Sequence, residues 1–385
     1  MTPETRLLRL CSAVPVTVER RERICSLIQG TIDWEAFLRL AVRHRVFPLA
    51  FKALGPHAAE AVPSSIWESL RTRSFTNLTK NMAAGKELAR VAEALGREGV
   101  ATAAYKGPAL AEQAYGDIGL RHFNDLDILI KEENLEAAAG VLDNLGYKSD
   151  LPGSPVRNKR YKRYLRDFAF RRPKGPCPVE VQWRLAQRYH PLFRDMSGLW
   201  TRLDDVVLEK TAVRTLSLED TLLALCLHGL YHSWEHLQMV ADVAQAAAAG
   251  PDLEWPGLLE SARRQGGLKI LLLGLLLARD LLEAPLPRSV LQAAEADRFV
   301  IRLAARTSEG FFDEASYPLK ARSFFFLETR LISGLGNRIR YFWGRLFTPN
   351  EEDAQALALP AGLFWLNPLW RAIRLFKKYF LAINS

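Results

Sequence analysis

The first hundred residues place their apolar side chains at the spacing of amphipathic helices. Asp33 precedes apolar residues at the first, fourth, fifth and eighth positions of a predicted helix, namely Trp34, Phe37, Leu38 and Ala41. A longer helix is predicted from about Phe75 to Gly96. Its predicted inward positions are Leu78, Met82, Leu88, Val91 and Leu95. The pattern therefore predicts a helical N-terminal region.

Between Gly99 and Leu185 the pattern changes to short apolar runs that are separated by turn residues. The predicted strands are 100–105, 126–130, 164–170 and 179–183, and the predicted helices are 108–115 and 132–145. Gly146 is placed to end the second helix. This order of strands and helices predicts a small α/β unit with a mixed sheet.

Helical periodicity returns after Ser217. Ser217 and Asp220, three residues later, form a helix start that resembles a capping box. We therefore predict an α+β protein in which helical regions flank a small mixed-sheet core. The predicted boundaries are 1–97 for the N-terminal helical region, 98–215 for the α/β core, 216–345 for a helical domain and 346–385 for a C-terminal basic-aromatic segment.

The amino-acid composition is that of a globular protein without a membrane-spanning segment. Of the 385 residues, 49% are hydrophobic and 25% are charged, as in ordinary globular proteins. The longest apolar run, Ile270 to Ala278, is much shorter than the roughly 20 residues that cross a bilayer. Four scattered cysteines show neither disulfide nor zinc spacing. Reduced thiols and a cytoplasmic location are therefore expected.

The net charge of +9 is concentrated in one segment. From Arg157 to Lys174 there are nine Lys or Arg residues and a single acid, Asp167. Such a basic segment indicates a polyanionic partner: nucleotide phosphates, a nucleic acid or an acidic surface. The alternative is a solvated loop that tolerates charge, and the segment taken alone favours that alternative.

Asp125 and Asp127 are the first candidates for chemistry. They lie two residues apart at the start of a predicted strand, so their side chains point to the same face. Two carboxylates this close raise each other's pKa unless a cation lies between them. A divalent ion such as Mg²⁺ that also binds substrate phosphates satisfies this arrangement. A lone Asp-x-Asp pair is nevertheless common in solvated turns.

The residues before this pair make a metal site the better interpretation. Lys106-Gly107-Pro108 ends a strand and opens a helix, where glycine lets backbone N–H groups approach a phosphate and Lys106 adds positive charge. The blocks that follow are Tyr115-Gly116-Asp117, Leu120-Arg121 and Asn124-Asp125-Leu126-Asp127. Together they resemble the uncharacterised nucleotidyltransferases, a family of the polymerase-β-like superfamily. The resemblance implies that Lys106, Gly107 and Arg121 bind nucleotide, although Asn124 stands where the family more often has Ser or Gly.

The resemblance also implies a third carboxylate. Val179-Glu180-Val181-Gln182-Trp183 is similar to the family's Val-Glu-Leu-His-Trp, with Gln182 in place of the usual His. Glu180 would then join Asp125 and Asp127 as a catalytic residue and ligand of Mg²⁺ or Mn²⁺. In the superfamily, two carboxylates hold the metals and the third helps to deprotonate the acceptor. An outward charge on a strand is the alternative for Glu180.

A third block, His228-Gly229-Leu230-Tyr231-His232-Ser233-Trp234, is similar to the family's His-Gly-x-x-His-x-Trp. His228, His232 and His236 are spaced to share one helical face, which would suit zinc. No His-Glu-x-x-His order is present, and the family is not known for zinc. We therefore predict core or phosphate-facing roles for His228 and His232, a surface position for His236, and Asp242 as a partner of one histidine.

The function predicted from the resemblance is metal-dependent transfer of a nucleoside monophosphate from an NTP to an unidentified small molecule, peptide or protein. A toxin-like transferase acting on RNA ends and a catalytically inactive nucleotide-binding module are the alternatives. The basic-aromatic segment at the C-terminus predicts either a membrane-surface helix or a helix docked on the core.

Overall fold

Helices surround a single mixed sheet in the computed structural model of the chain. The structure describes residues 1–13, 17–58, 61–151, 156, 159–313, 324–348 and 371. Arg157 and almost all of the C-terminal segment 346–385 therefore lie outside the described residues. Within the described ranges, no helix combines the length and apolarity that crossing a membrane requires.

Five helices precede the sheet: α1 (Pro3–Ser12), α2 (Val18–Ile28), α3 (Trp34–Arg43), α4 (Phe47–Ala58) and α5 (Ser64–Arg97). The predicted start of α3 is confirmed, since the Asp33 side chain accepts a hydrogen bond from the Ala36 N–H. The predicted helix from Phe75 is the second half of the much longer α5. Met82, predicted to face inward, is instead exposed, whereas the polar residues Asn77 and Asn81 of the same helix are buried.

The sheet has seven strands, in the order β3-β4-β5-β2-β1-β7-β6. They are β1 (Thr102–Ala104), β2 (Leu126–Ile130), β3 (Lys148–Ser149), β4 (Asp167–Arg171), β5 (Val179–Gln182), β6 (Asp204–Leu208) and β7 (Thr211–Thr215). The helices between them are α6 (Gly107–Leu110), continued by a π-helical turn (Ala111–Tyr115), α7 (Leu135–Asn144) and α8 (Lys159–Tyr164). The pairing of β2 with β5 is parallel and that of β1 with β2 is antiparallel. The prediction of a mixed sheet flanked by helices is thus confirmed.

One local prediction in this region was wrong, and one hairpin was missed. The strand predicted from Tyr164 begins at Asp167, because the basic residues before it form α8. The β6–β7 hairpin was not predicted. Its two-residue turn is Glu209-Lys210, and both residues have positive φ (48° and 69°) although neither is the Gly, Asn or Asp that usually marks such a turn.

The remaining helices follow the sheet: α9 (Leu218–Tyr231), α10 (Leu237–Ala249), α11 (Trp255–Arg264), α12 (Leu268–Leu282), α13 (Arg288–Glu295), α14 (Arg298–Glu309), α15 (Phe324–Leu331) and α16 (Leu335–Phe347). Ser217 caps α9 by accepting a hydrogen bond from the Asp220 N–H, as predicted. One apolar cluster joins α1–α4 with α9–α14 and one face of the sheet. A second cluster lies between the other face, α5 and α7.

Each face of the sheet packs against one of the two clusters, and this packing fixes the face on which a polar residue of a strand lies. Leu126, Ile128 and Ile130 of β2 pack in the second cluster, whereas Leu129 belongs to the first. Because alternate side chains of a strand point to opposite faces, Asp127 must lie on the side of Leu129, toward α9 and α10.

Candidate active site

Three carboxylates lie at one place on the sheet. Asp127 of β2 is the register partner of Glu180 of β5, and Asp125 precedes β2 by one residue. Paired residues on neighbouring parallel strands project from the same face, so Glu180 and Asp127 are side by side. The site residues predicted on separate segments, Asp125, Asp127 and Glu180, are therefore brought together by the β2–β5 pairing.

Asp127 has a defined set of partners. Its Oδ1 accepts from the Lys106 ammonium at 2.9 Å and from Gln182 Nε2 at 2.7 Å. The Tyr105 hydroxyl in turn donates to Gln182 Oε1 at 2.7 Å. Asp127 Oδ2 is buried and has no hydrogen-bond partner among the described residues. Gln182 thus orients Asp127 through a chain of hydrogen bonds.

Burial and like charge shift the protonation of this cluster. Burial, and after it the charges of Asp127 and Asp125, raise the pKa of Glu180 to about 7. Burial also raises the pKa of Asp127, although Lys106 opposes that shift. Burial disfavours the Lys106 ammonium as well, yet the charge of Asp127 keeps the Lys106 pKa above its ordinary value. Near neutral pH, Glu180 can therefore exchange a proton.

Gly107 brings the loop after β1 against the start of β2. Its φ is +51°, and a Cβ added there would lie 3.0 Å from the Asp125 carbonyl oxygen. Only glycine combines this backbone conformation with so close an approach. The structure thus gives Gly107 a positioning role next to Asp125, and its predicted contact with a phosphate remains a prediction.

Gly107→Ala should therefore displace Asp125 and lower both NTP binding and stability. The matched control is Gly116→Ala, because Gly116 has a similar φ of +61° but nothing within 4 Å of an added Cβ. Both variants should lose about 1–2 kcal/mol of unfolding free energy through backbone strain. Only Gly107→Ala should also lose metal-dependent NTP binding, measured by calorimetry. Equal binding by the two variants would contradict the positioning role.

The acids lie in the wall of a cavity of about 430 Å³. The predicted nucleotide-binding residues Lys106, Arg121, His228 and His232 line it as well. The rings of His228 and His232 are 4.5 Å apart. Burial, with the Lys106 charge next, keeps the pKa of His228 well below its ordinary value. His236 also lines the cavity, but it lies beyond the end of α9 and not on its face, because α9 stops at Tyr231.

Arg121 is held in place by Asp242 of α10. Its Nε and Nη2 donate to the two carboxylate oxygens of Asp242 at 2.9 and 3.0 Å, and the Tyr115 hydroxyl donates to Asp242 at 2.6 Å. Both partners of the ion pair are almost fully buried. The prediction that Asp242 is the partner of a histidine was wrong, since it belongs to the next helix and binds Arg121.

Two pairs of polar side chains fix the loop before β2, and of their four residues only Asp242 was singled out from the sequence. The pairs are Asn77 and Asn81 of α5, and Gln238 and Asp242 of α10. The Nδ2 groups of Asn77 and Asn81 donate to the Arg121 carbonyl at 3.2 and 2.7 Å. Gln238 exchanges two hydrogen bonds with the backbone of His122. The residues of each pair are four positions apart, so they share one face of their helix. Polar residues at inward-facing helix positions were the feature of the sequence that could have identified them.

Arg121→Met is expected to destabilise the protein by about 3–5 kcal/mol, because it leaves Asp242 buried without its cation. Arg214→Met is the matched control, since the Arg214–Asp205 pair is exposed and should contribute less than about 1 kcal/mol. Urea unfolding of both variants measures the difference. Unchanged stability with weaker NTP binding would show instead that Arg121 acts only as a phosphate ligand.

Three of the described arginines of the basic segment form ion pairs with acids of the fold. Arg166 lines the cavity and pairs with Asp167 at 3.1 Å. Arg171 pairs with Asp150 at 2.8 Å, and Arg172 pairs with Glu87 at 3.0 Å. Part of the positive charge that the sequence indicated for a polyanion is thus neutralised within the fold, and among the described side chains of the segment Arg166 is the basic residue that lines the cavity.

The carboxylates suit a divalent cation that is shared with a substrate. The buried, unpartnered Oδ2 of Asp127 is an oxygen ligand of the kind that Mg²⁺ prefers. Within the part of the chain that is described, however, no three His, Cys, Asp or Glu side chains are grouped so that together they could hold a metal ion. The arrangement fits an ion held by one or two carboxylates and by substrate phosphates, which is the usual mode for Mg²⁺.

Comparison with known proteins agrees with this geometry. The family model described as uncharacterised nucleotidyltransferase matches residues 30–283, more than half of the chain. The match includes all three carboxylates and the residues that line the cavity around them. A search among curated proteins found no match. The chain therefore belongs to the uncharacterised nucleotidyltransferase family.

Proposed function

We propose that the protein transfers a nucleoside monophosphate from a metal-bound NTP to a small molecule, peptide or protein. The observation that carries the proposal is the meeting of Asp125, Asp127 and Glu180 beside the buried Lys106 in one cavity. Family membership supports a nucleotidyltransferase. The metal, the NTP and the acceptor class are the proposed additions.

Asp125 and Asp127 would hold the metal, Mg²⁺ or Mn²⁺, through their carboxylate oxygens. When bound, the metal would supply Lewis-acid stabilisation of charge on the phosphate oxygens. Lys106 would add a fixed positive charge beside them, since its ammonium lies 2.9 Å from Asp127 Oδ1 and is largely shielded from solvent. Gln182 would keep Asp127 in a single orientation by donating to the same oxygen.

Glu180 is suited to accept the proton of the acceptor. In the metal-free protein its pKa of about 7 makes it basic enough to take a proton near neutral pH, and a cation on the neighbouring aspartates would favour its ionised form. An acceptor hydroxyl would give its proton to a Glu180 oxygen while its own oxygen bonds to the α-phosphorus. The bond from that phosphorus to the bridging oxygen would break, and pyrophosphate would leave with the electron pair.

Incubation of the protein and a cell extract with each α-labelled NTP tests the proposal directly. Transfer of label to a small molecule, peptide or protein supports it, and the identity of the labelled species names the acceptor. Label confined to RNA would favour the alternative of an RNA-end transferase. No transfer with any NTP and either metal, combined with metal-independent NTP binding, would favour an inactive binding module.

The basic segment provides a separate test of the acceptor class. Changing Lys162, Arg163 and Lys174 together to Gln should leave binding of total tRNA weak and almost unchanged, because a small-molecule or peptide acceptor does not require these cations. If RNA is the acceptor, the variant should lose salt-sensitive tRNA binding, and the log–log salt slope should fall by roughly 0.7 for each lost phosphate contact. Gel shifts at two salt concentrations distinguish the outcomes.

A further inference from the structure

A second group of basic side chains lines the active-site cavity, apart from Lys106 and the carboxylates. Arg45 comes from the turn between α3 and α4, and Arg121 and His122 come from the loop before β2. In the described part of the chain, none of the three forms an ion pair with Asp125, Asp127 or Glu180; Arg121 pairs only with Asp242. The cavity therefore carries basic side chains, with the charge of Arg45 among them, that the proposed metal site does not use.

Arg45 is positioned by its backbone, although its side chain is exposed. It has a positive φ of 60°, and the turn is closed by a hydrogen bond from the Val46 N–H to the Ala41 carbonyl at 2.9 Å. The neighbouring His44 carbonyl and ring accept from the first backbone N–H groups of α10. The turn is thus fixed to the helix that also holds Arg121. Among the described residues, no acceptor binds the Arg45 guanidinium.

Arg121 and His122 each have one side-chain nitrogen that their described hydrogen bonds leave unused. Two nitrogens of Arg121 are bound to Asp242, while its buried Nη1 has no partner among the described residues. Because both amide hydrogens of Asn77 are donated to carbonyl groups, its Oδ1 is the acceptor for His122 Nδ1 at 3.0 Å. His122 Nε2 then remains for a ligand. Burial and next the Arg45 charge lower the pKa of His122 to about 4, and a bound anion would favour the protonated form, in which Nε2 donates a hydrogen bond.

We infer that Arg45, Arg121 and His122 form a binding site for the terminal phosphates of the triphosphate, an inference that rests on the proposed function. In nucleotidyl transfer the pyrophosphate gains negative charge as the bond to the α-phosphorus breaks. Lys106 lies beside the carboxylates. Stabilising the negative charge that develops on the terminal phosphates therefore requires other cations. Fixed donors that meet developing charge are an effective form of catalytic stabilisation.

Arg45→Gln tests the inference without touching the carboxylates. Inorganic tripolyphosphate and AMP, titrated separately into the full chain in EDTA, report the anion site without the metal. Tripolyphosphate should bind about tenfold more weakly to Arg45→Gln than to the wild type, and Arg45→Lys should restore part of the loss. Arg39→Gln is the matched control, because Arg39 is exposed on α3 but does not line the cavity. AMP affinity should not change in any variant.

Equal tripolyphosphate affinity in the wild type and Arg45→Gln would overturn the inference, as would an equal loss of AMP binding. Asp127→Asn separates this result from the proposed function, since it should still bind tripolyphosphate in EDTA. Tripolyphosphate binding that depends on Arg45, without transfer from any NTP, would defeat the proposed function alone. If the protein transfers nucleotide and Arg45→Gln has the same KM for NTP as the wild type, this inference alone is contradicted.

Discussion

Asp127→Asn is expected to abolish metal-dependent NTP binding and to lower nucleotidyl transfer by roughly a thousandfold, about 4 kcal/mol of lost transition-state stabilisation. The amide removes one negative charge and replaces an oxygen ligand in the most buried of the three acids. Asp125→Asn should have the same effect on binding, because the pair would act as one site. Calorimetric titration of MgATP into each variant, beside a measurement of label transfer, tests both expectations.

The two variants should differ in stability even though they agree in activity. Asp127→Asn leaves the buried Lys106 without its closest carboxylate, so its unfolding temperature should fall below that of the wild type. Asp125→Asn relieves repulsion within the acid cluster without breaking an ion pair, so stability should be equal or higher. Asp150→Asn is the control, since Asp150 also lines the cavity but pairs with Arg171. MgATP binding as tight in the Asp125/Asp127 double variant as in the wild type would refute the site.

Glu180→Gln should lower kcat by about a hundred- to a thousandfold while changing the Kd for MgATP little. A group that accepts a proton contributes mainly in the transition state, and general-base catalysis is typically of this size. The pH profile of kcat/KM for the wild type should rise through about pH 7, where Glu180 loses its proton. Equal losses in Kd and kcat would make Glu180 a metal ligand, and an unchanged rate would place the third carboxylate elsewhere.

Glu180 also predicts a pH dependence of stability in the metal-free protein. Its pKa is about 7 in the folded protein, against an ordinary value of 4.5, so the folded state binds more protons between these limits. Stability should therefore fall as pH rises from about 4.5 to about 7 and then level off. Glu180→Gln removes this contribution, which is on the order of 2–3 kcal/mol. Urea unfolding in EDTA at pH 5 and pH 8 should show a smaller difference for the variant than for the wild type.

The sequence by itself determined the features that depend on near neighbours. The cap at Asp33, the cap at Ser217 and the strand from Leu126 to Ile130 were predicted with their observed residues. Each of them follows from side chains within a few positions of the backbone they stabilise. The common face of Asp125 and Asp127 follows in the same way from the two-residue period of a strand.

The place of Glu180 needed more than local pattern. Nothing within a strand specifies which strand lies beside it, so the approach of Glu180 to Asp127 was predicted from the family resemblance. The β2–β5 register then gave it a geometric basis. The family match to residues 30–283 supports the same resemblance, while the catalytic roles of the three acids remain predictions for the experiments above.

Only the tertiary structure decided which polar residues of the helices belong to the site. Met82 has the stronger apolar character, yet it is exposed while Asn77 and Asn81 are buried. The reason is that the carbonyl groups of the loop before β2 need donors, and α5 passes beside that loop. Asp242 and Arg45 are distant in sequence from the carboxylates and reach the cavity because α10 packs against the π-helical turn before that loop and holds the α3–α4 turn. Such contacts depend on how whole elements pack, and no periodicity within a single element contains that information.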